Sequence, residues 1–316
     1  MTTLGLPGSG TGIDEEMLDG AWEVVSRHLP PTPLIPFPQA GFPVPVYLKY
    51  DGAQPMGTFK VRGALAALTA YGAAGKPVVT ASVGNHALGM AYGSRLLSVD
   101  STVVVPKTAA PVKIAALGRY PINLVLEGDD FDGAERHALD LGRNGMRYVS
   151  AYTDRYVIAG QSTLATEVAN VLDEDFTVVV PAGGGGLLSG VALGARRAKQ
   201  DVRVVGVEAD ACRALSTAVA AGHVVPVPMG ETIADGLYGN LEPSSITPRI
   251  VRDCGSSSDT WPRSRSGGRS GSWWPVRDWW PRARPRPLWP RCATTWCPWA
   301  GRNSSTTALA GILRED

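Results

Sequence analysis

From Thr32 to Arg252, short β-branched runs alternate with alanine-rich stretches, and this rhythm limits the fold more than any other feature of the chain. Val44–Lys49 precedes Gly57–Ala70, Pro77–Ala81 precedes Asn85–Leu97, and Ser101–Val105 precedes Ala110–Leu117. Farther along, Phe176–Val180 precedes Leu187–Lys199 and Val202–Val207 precedes Cys212–Ala221. Strand-length runs followed by helix-length stretches predict parallel sheets covered by helices. Ligands in such folds collect in the loops at the carboxyl ends of the strands. With 316 residues there is chain enough for two α/β units with a cleft between them.

Charge and cysteine content narrow the partners. Thirty basic residues against 29 acidic ones leave no field that would favour nucleic acid or an acidic membrane surface, so a small molecule is the expected partner. Cys212, Cys254, Cys292 and Cys297 lack the paired spacing of a zinc site. The opening Met1–Gly20 has no basic segment followed by an apolar stretch, and a cytoplasmic location is expected. No apolar run approaches the roughly 20 residues that span a bilayer.

Around Gly255 the composition breaks. Gly255–Ala300 holds eight of the nine tryptophans, seven prolines, eight arginines, two aspartates and no lysine, with neither helical nor strand periodicity. One reading is a basic aromatic arm that stacks on an anionic partner. The other is a segment translated in a shifted frame from GC-rich coding DNA. Back-translating Arg277–Cys292 with GC-rich codons and shifting by two bases yields Gly-Leu-Val-Ala-Glu-Gly-Ala-Ala-Glu-Ala-Ala-Val-Ala-Ala-Leu, a well-formed helix sequence. Thr306–Asp316 returns to a helical pattern.

Three loops carry chemistry. In Gln54-Pro55-Met56-Gly57-Thr58-Phe59-Lys60-Val61-Arg62-Gly63-Ala64, a lysine sits in the first turn of an increasingly apolar helix, behind a glycine turn and a threonine suited to capping. The positive end of the helix and the apolar surroundings both disfavour an ammonium, which frees the amine to attack an aldehyde. In Val78-Val79-Thr80-Ala81-Ser82-Val83-Gly84-Asn85-His86-Ala87-Leu88-Gly89, a strand enters a small polar loop that opens a helix. Ser82, Asn85 and the backbone donors there can converge on a carboxylate, with His86 to assist. In Thr177-Val178-Val179-Val180-Pro181-Ala182-Gly183-Gly184-Gly185-Gly186-Leu187-Leu188-Ser189-Gly190, four glycines between a strand and a helix let successive N–H groups turn around a phosphate. No Gly-Lys-Ser/Thr follows, so this is not a nucleotide P-loop.

Together these loops resemble the fold type II, tryptophan-synthase-β-like pyridoxal-phosphate enzymes, and within them the serine/threonine dehydratase and serine racemase group. Supporting matches are Thr32-Pro33-Leu34, Val157-Ile158-Ala159-Gly160-Gln161, Gly206-Val207-Glu208 and Thr232-Ile233-Ala234-Asp235-Gly236-Leu237, and the likeness runs from about Pro31 to Asp253. It implies two open parallel-sheet α/β domains with helices on both faces and the cofactor in the cleft between them. The smaller domain would span 45–150, and 1–44 with 151–316 would form the larger one. It also implies that Lys60 binds pyridoxal 5'-phosphate covalently and removes the α-proton, with Ser82 beside it as the other catalytic residue. Phe59 would pack on the ring, Asn85 would bond the ring oxygen, and Gly183, Gly184, Gly185 and Gly186 would hold the phosphate. Ser82, Asn85 and His86 would receive the substrate carboxylate.

The implied activity is elimination of water from a hydroxy-amino acid to give a 2-keto acid and ammonia, by a homodimer. Serine, threonine and bulkier β-hydroxy amino acids all remain open as substrates. Other members of the group replace or racemise, but the racemases carry a serine where this chain has Val83, and valine cannot carry a proton. Cation sites in the group pair a glutamate at Glu208 with an acidic residue six positions on, here Ala214, so no metal of that kind is expected. A C-terminal effector domain is not expected either. The late Ser-Gly-x-Asn motif of the group is replaced by Ala300-Gly301-Arg302-Asn303, which offers no hydroxyl to the pyridine nitrogen. A chain that binds the cofactor but is inactive or misfolded is therefore the alternative from a different class.

Overall fold

The computed structural model describes residues 11–37, 45–209, 211–232, 234–256 and 309–314, the last six by their backbone. The first helix, α1 (Glu15–His28), is capped by Asp14, which accepts the Met17 N–H at 2.9 Å. Acidic residues in its first turn and basic ones in its last match the helix dipole. There follow β1 (Leu34–Pro36), β2 (Val46–Tyr50), α2 (Lys60–Ala73), β3 (Val78–Ala81), α3 (Asn85–Leu97), β4 (Ser101–Val105) and α4 (Pro111–Leu117). Next come β5 (Asn123–Leu126), α5 (Phe131–Arg143), β6 (Arg147–Tyr148), α6 (Arg155–Ala169), β7 (Phe176–Pro181) and α7 (Gly186–Ala195). The described chain closes with β8 (Val202–Val207), α8 (Ala214–Ala221), α9 (Thr247–Ser256) and β9 (Leu309–Arg314).

These strands form two sheets, as the alternation predicts. The smaller, ordered β5-β4-β3-β6, is parallel throughout. The larger, ordered β1-β2-β9-β7-β8, is mixed: β7 and β8 are parallel, while β1, β2, β9 and β7 run antiparallel pair by pair. Strand β2, which lies within the expected 45–150 unit, pairs in this larger sheet.

One local expectation is corrected. Within Thr306–Asp316, Leu309–Arg314 is a strand and not a helix, pairing Gly311 with Leu48 of β2 and Ile312 with Val178 of β7. Six residues are too few for a helix to stand on its own hydrogen bonds, whereas the gap between β2 and β7 satisfies both edges of an extended segment. Of the anomalous window 255–300, only Gly255 and Ser256 are described, and Ala300-Gly301-Arg302-Asn303 lies outside the described residues.

Three helices bring the loops together. All ten residues of α7 are buried, and α6 buries most of its length against α7 and α2. The α2–α6 contact depends on a glycine pair: a Cβ on Gly63 would come 2.7 Å from the Val157 carbonyl, and one on Gly160 would come 2.5 Å from the Arg62 carbonyl. Only hydrogen at both positions lets the two backbones approach this closely. Among the described residues, no helix is long and apolar enough to cross a membrane.

Candidate active site

Lys60 is the first residue of α2. Extended backbone at Thr58 turns its hydroxyl to accept the Lys60 N–H at 3.2 Å, one residue ahead of the N-cap position, which Phe59 occupies without a side-chain cap. The approach turns sharply, with Met56 and Gly57 both at φ +65°. Tyr120 fixes this turn by directing its hydroxyl to the Met56 sulfur at 2.9 Å. The Lys60 amine donates to the Ala151 carbonyl at 2.6 Å and lies 5.3 Å from the centre of the Phe59 ring. Burial pushes its pKa down to about 8, so far more of the amine is neutral near physiological pH than in an ordinary lysine. Phe59 itself is buried in the larger core.

The second loop leaves the carboxyl end of β3. Ser82 is anchored by its N–H on the Val104 carbonyl at 3.3 Å, and its hydroxyl accepts the Gly84 N–H at 3.2 Å. Asn85 and His86 then open α3. One turn on, Gly89 brings α3 onto the Lys60 backbone, where a Cβ would meet the Lys60 carbonyl group at 3.3 Å. His86 is consequently close enough to Lys60 for their charges to interact. Burial first, and then Lys60, push the imidazole down to about 3, against a small opposing effect of the Val149 backbone. Neither ring nitrogen makes a well-formed hydrogen bond to a described residue. His86 is a neutral, buried group with a donor and an acceptor to offer.

The glycine loop joins β7 to α7. Gly185 takes φ +83° at the helix start, and a Cβ there would come 2.7 Å from the Thr247 hydroxyl. A Cβ on Gly184 would enter the Tyr152 ring at 2.5 Å. Thr247 holds the loop from behind by donating to the Gly184 carbonyl at 2.9 Å. Among the described residues, the N–H groups of Gly183, Gly184, Gly185 and Gly186 have no acceptor, although Gly185 and Gly186 are buried. Unpaired donors at the positive end of a buried helix suit a phosphate, and a neutral lysine amine suits an aldehyde; the residues present fit pyridoxal phosphate.

The structure thus brings Lys60, Phe59 and His86 together and connects the glycine loop to Lys60 through Ala151 and Tyr152. The Ser82 hydroxyl turns back to its own loop, where it accepts the Gly84 N–H. Sequence reasoning missed Ala151, Tyr152 and Thr247, which lie outside the three loops and carry no motif. It also missed the role of Arg62. This guanidinium is wholly buried between Asp51 (2.7 Å) and Glu167 (2.5 Å), and Glu167 also accepts from Lys49 at 2.5 Å. The network ties the start of α2 to β2, the turn after it and α6. Glu208, considered above as a cation ligand, accepts the N–H groups of Leu215 (2.8 Å) and Ser216 (3.1 Å) at the start of α8.

The chain is 38% identical over 213 residues to an L-threonine ammonia-lyase of Geobacter sulfurreducens, a match covering 66% of this chain and 53% of that protein. This chain therefore spans about half the length of that relative. The fold superposes with a TM-score of 0.70 and 28% identity on the processed form of threonine deaminase isoform 2 from Solanum lycopersicum, covering 80% of this chain and 75% of that one. Serine racemase from Dictyostelium discoideum gives a TM-score of 0.68 at 27% identity, covering 76% and 78%. Residues 25–260 match the family described as pyridoxal-phosphate dependent enzyme, and the chain belongs to that family.

Proposed function

We propose that this chain is a lyase that removes water and ammonia from L-serine or L-threonine, releasing a 2-keto acid. The observation that carries the reading is the Lys60 amine, held at depressed basicity at the start of α2 and connected through Ala151 and Tyr152 to a glycine loop with unpaired donors. The name of the Geobacter sulfurreducens relative supports the reaction class.

Lys60 would hold the cofactor, Phe59 would lie against its ring, Asn85 would meet its ring oxygen, and Gly183 to Gly186 would take its phosphate. When bound, pyridoxal phosphate supplies an electron sink for charge developing at the substrate α-carbon. Lys60, its basicity lowered by burial, is suited to take the α-proton. Ser82, Asn85 and neutral His86 would orient the carboxylate by hydrogen bonds, without the extra positive charge of an imidazolium. Val83 offers no second proton carrier, which favours elimination over racemisation.

On the family resemblance we also read the protein as a homodimer, with residues 45–150 as the smaller domain, its first strand β2 joining the larger sheet, and 1–44 with 151–316 as the larger. A cytoplasmic location belongs to the same reading. The test is keto-acid release from L-serine and L-threonine by the purified chain supplied with pyridoxal phosphate, beside Lys60→Ala. Turnover lost in the variant supports the reading. Cofactor binding without turnover in the wild type would support the inactive alternative.

A further inference from the structure

Ala151 accepts the Lys60 amine, and both flanks of this residue are tied to one short stretch of chain, Glu242 to Thr247. On one side, the Ser150 hydroxyl donates to the Glu242 carboxylate and accepts the N–H groups of Tyr152 and Thr153 at 3.4 and 3.3 Å. On the other, the Tyr152 oxygen accepts the Glu242 N–H at 2.8 Å. The Thr153 hydroxyl donates to Ser245 Oγ at 3.3 Å and accepts the Ile246 N–H at 3.0 Å. The stretch ends on Thr247, fully buried at the start of α9, whose hydroxyl reaches the Gly184 carbonyl at 2.9 Å. The acceptor of the lysine and the glycine loop are thus referenced to the same six residues.

None of these residues lies in the loops expected to touch cofactor or substrate, yet the arrangement is costly to build. Glu242 is a partly buried carboxylate whose pKa burial pushes up, opposed by the Ser150 hydroxyl. Thr247 is a fully buried hydroxyl. Buried polar groups of this kind rigidify a site when each has its partner. We propose that Glu242 and Thr247 are positioning residues that fix the Ala151 carbonyl and the Gly184 peptide relative to one another, so that the free Lys60 amine docks at a constant reach from the phosphate-binding loop. The proposal rests on the reading of Lys60 and Gly183–Gly186 as the cofactor site.

Two aldehydes separate its parts: pyridoxal phosphate, and pyridoxal, which lacks the phosphate. Thr247→Val removes the hydroxyl while keeping the shape, and should weaken pyridoxal phosphate about tenfold in an absorbance titration while leaving pyridoxal within about twofold. Thr247→Ser should restore the affinity. Ser150→Ala and Glu242→Leu should each free the Ala151 carbonyl, whose bond to the amine favours the ammonium. The pH midpoint for amine-selective labelling of Lys60 in the apoprotein, mapped by peptide mass, should then fall by about one unit. Glu242→Leu removes the carboxylate that accepts the Ser150 hydroxyl, and serves if Ser150→Ala does not fold. Equal weakening of both aldehydes by Thr247→Val, or an unmoved labelling midpoint in Glu242→Leu, overturns the proposal. A wild-type chain that binds neither aldehyde at Lys60 overturns the cofactor reading beneath it, whereas tight wild-type binding with unaffected variants overturns the positioning role alone.

Discussion

Arg62 Nε lies 2.7 Å from Asp51 Oδ2, with both side chains wholly removed from solvent two residues after Lys60. Glu167 and Lys49 complete the network, two cations against two carboxylates. Burial alone would lower the Arg62 pKa, but Asp51 and Glu167 together more than offset it, so the guanidinium stays charged. Removing one member leaves an uncompensated buried charge. Arg62→Ala is therefore expected to cost about 3–5 kcal/mol of stability, read as a fall in the denaturant midpoint. Because the network anchors α2, the same variant should weaken cofactor binding even where it remains folded.

His86 gives the apoprotein a signature in acid. Its ordinary pKa is 6.5 and burial with Lys60 nearby lowers it to about 3, so the unfolded chain binds a proton that the folded protein refuses. Stability contributed by this site is complete above pH 6.5 and is lost as the pH falls from 6.5 toward 3. The slope is about 1.4 kcal/mol per pH unit. Thermal melting of wild type and His86→Gln across that range should show a shallower fall in the variant.

Gly184→Ala places a methyl group in the Tyr152 ring. The ring is itself fixed through its oxygen by the Glu242 N–H, so it cannot swing away freely. A loss of about 1–3 kcal/mol in stability is expected. Pyridoxal-phosphate affinity should fall with it, and a double variant with Tyr152→Ala should recover part of both.

Val83 separates elimination from racemisation. Wild type incubated with L-serine should release keto acid while the remaining substrate keeps its configuration on chiral chromatography. Val83→Ser, which supplies a hydroxyl that can carry a proton, should allow D-serine to appear.

The parts of the fold legible in the sequence are those set by neighbours along the chain. Asn85–Leu97, Ser101–Val105 and Val202–Val207 match their expected bounds because small-residue loops and β-branched runs mark them locally. Lys60 and the glycine loop stood out for the same reason. Leu309–Arg314 did not, because its partners in β2 and β7 are remote and its own residues suit a helix. Arg62 sits within the lysine motif, but its burial is not legible there, since its partner Glu167 lies 105 residues away. Tyr152 and Thr247 were invisible for a similar reason: what makes them important is their contact with Gly184, which only the folded chain creates.

The central claim is that Lys60 carries the cofactor, and one measurement reaches it most directly. The chain is mixed with pyridoxal phosphate, reduced with borohydride and digested, and every lysine peptide is examined by mass spectrometry. The pyridoxyl group should appear on Lys60 and be absent when Lys60→Ala is treated in the same way. Its appearance on another lysine such as Lys76 or Lys107 in place of Lys60, or its absence from the wild-type chain, would contradict the account.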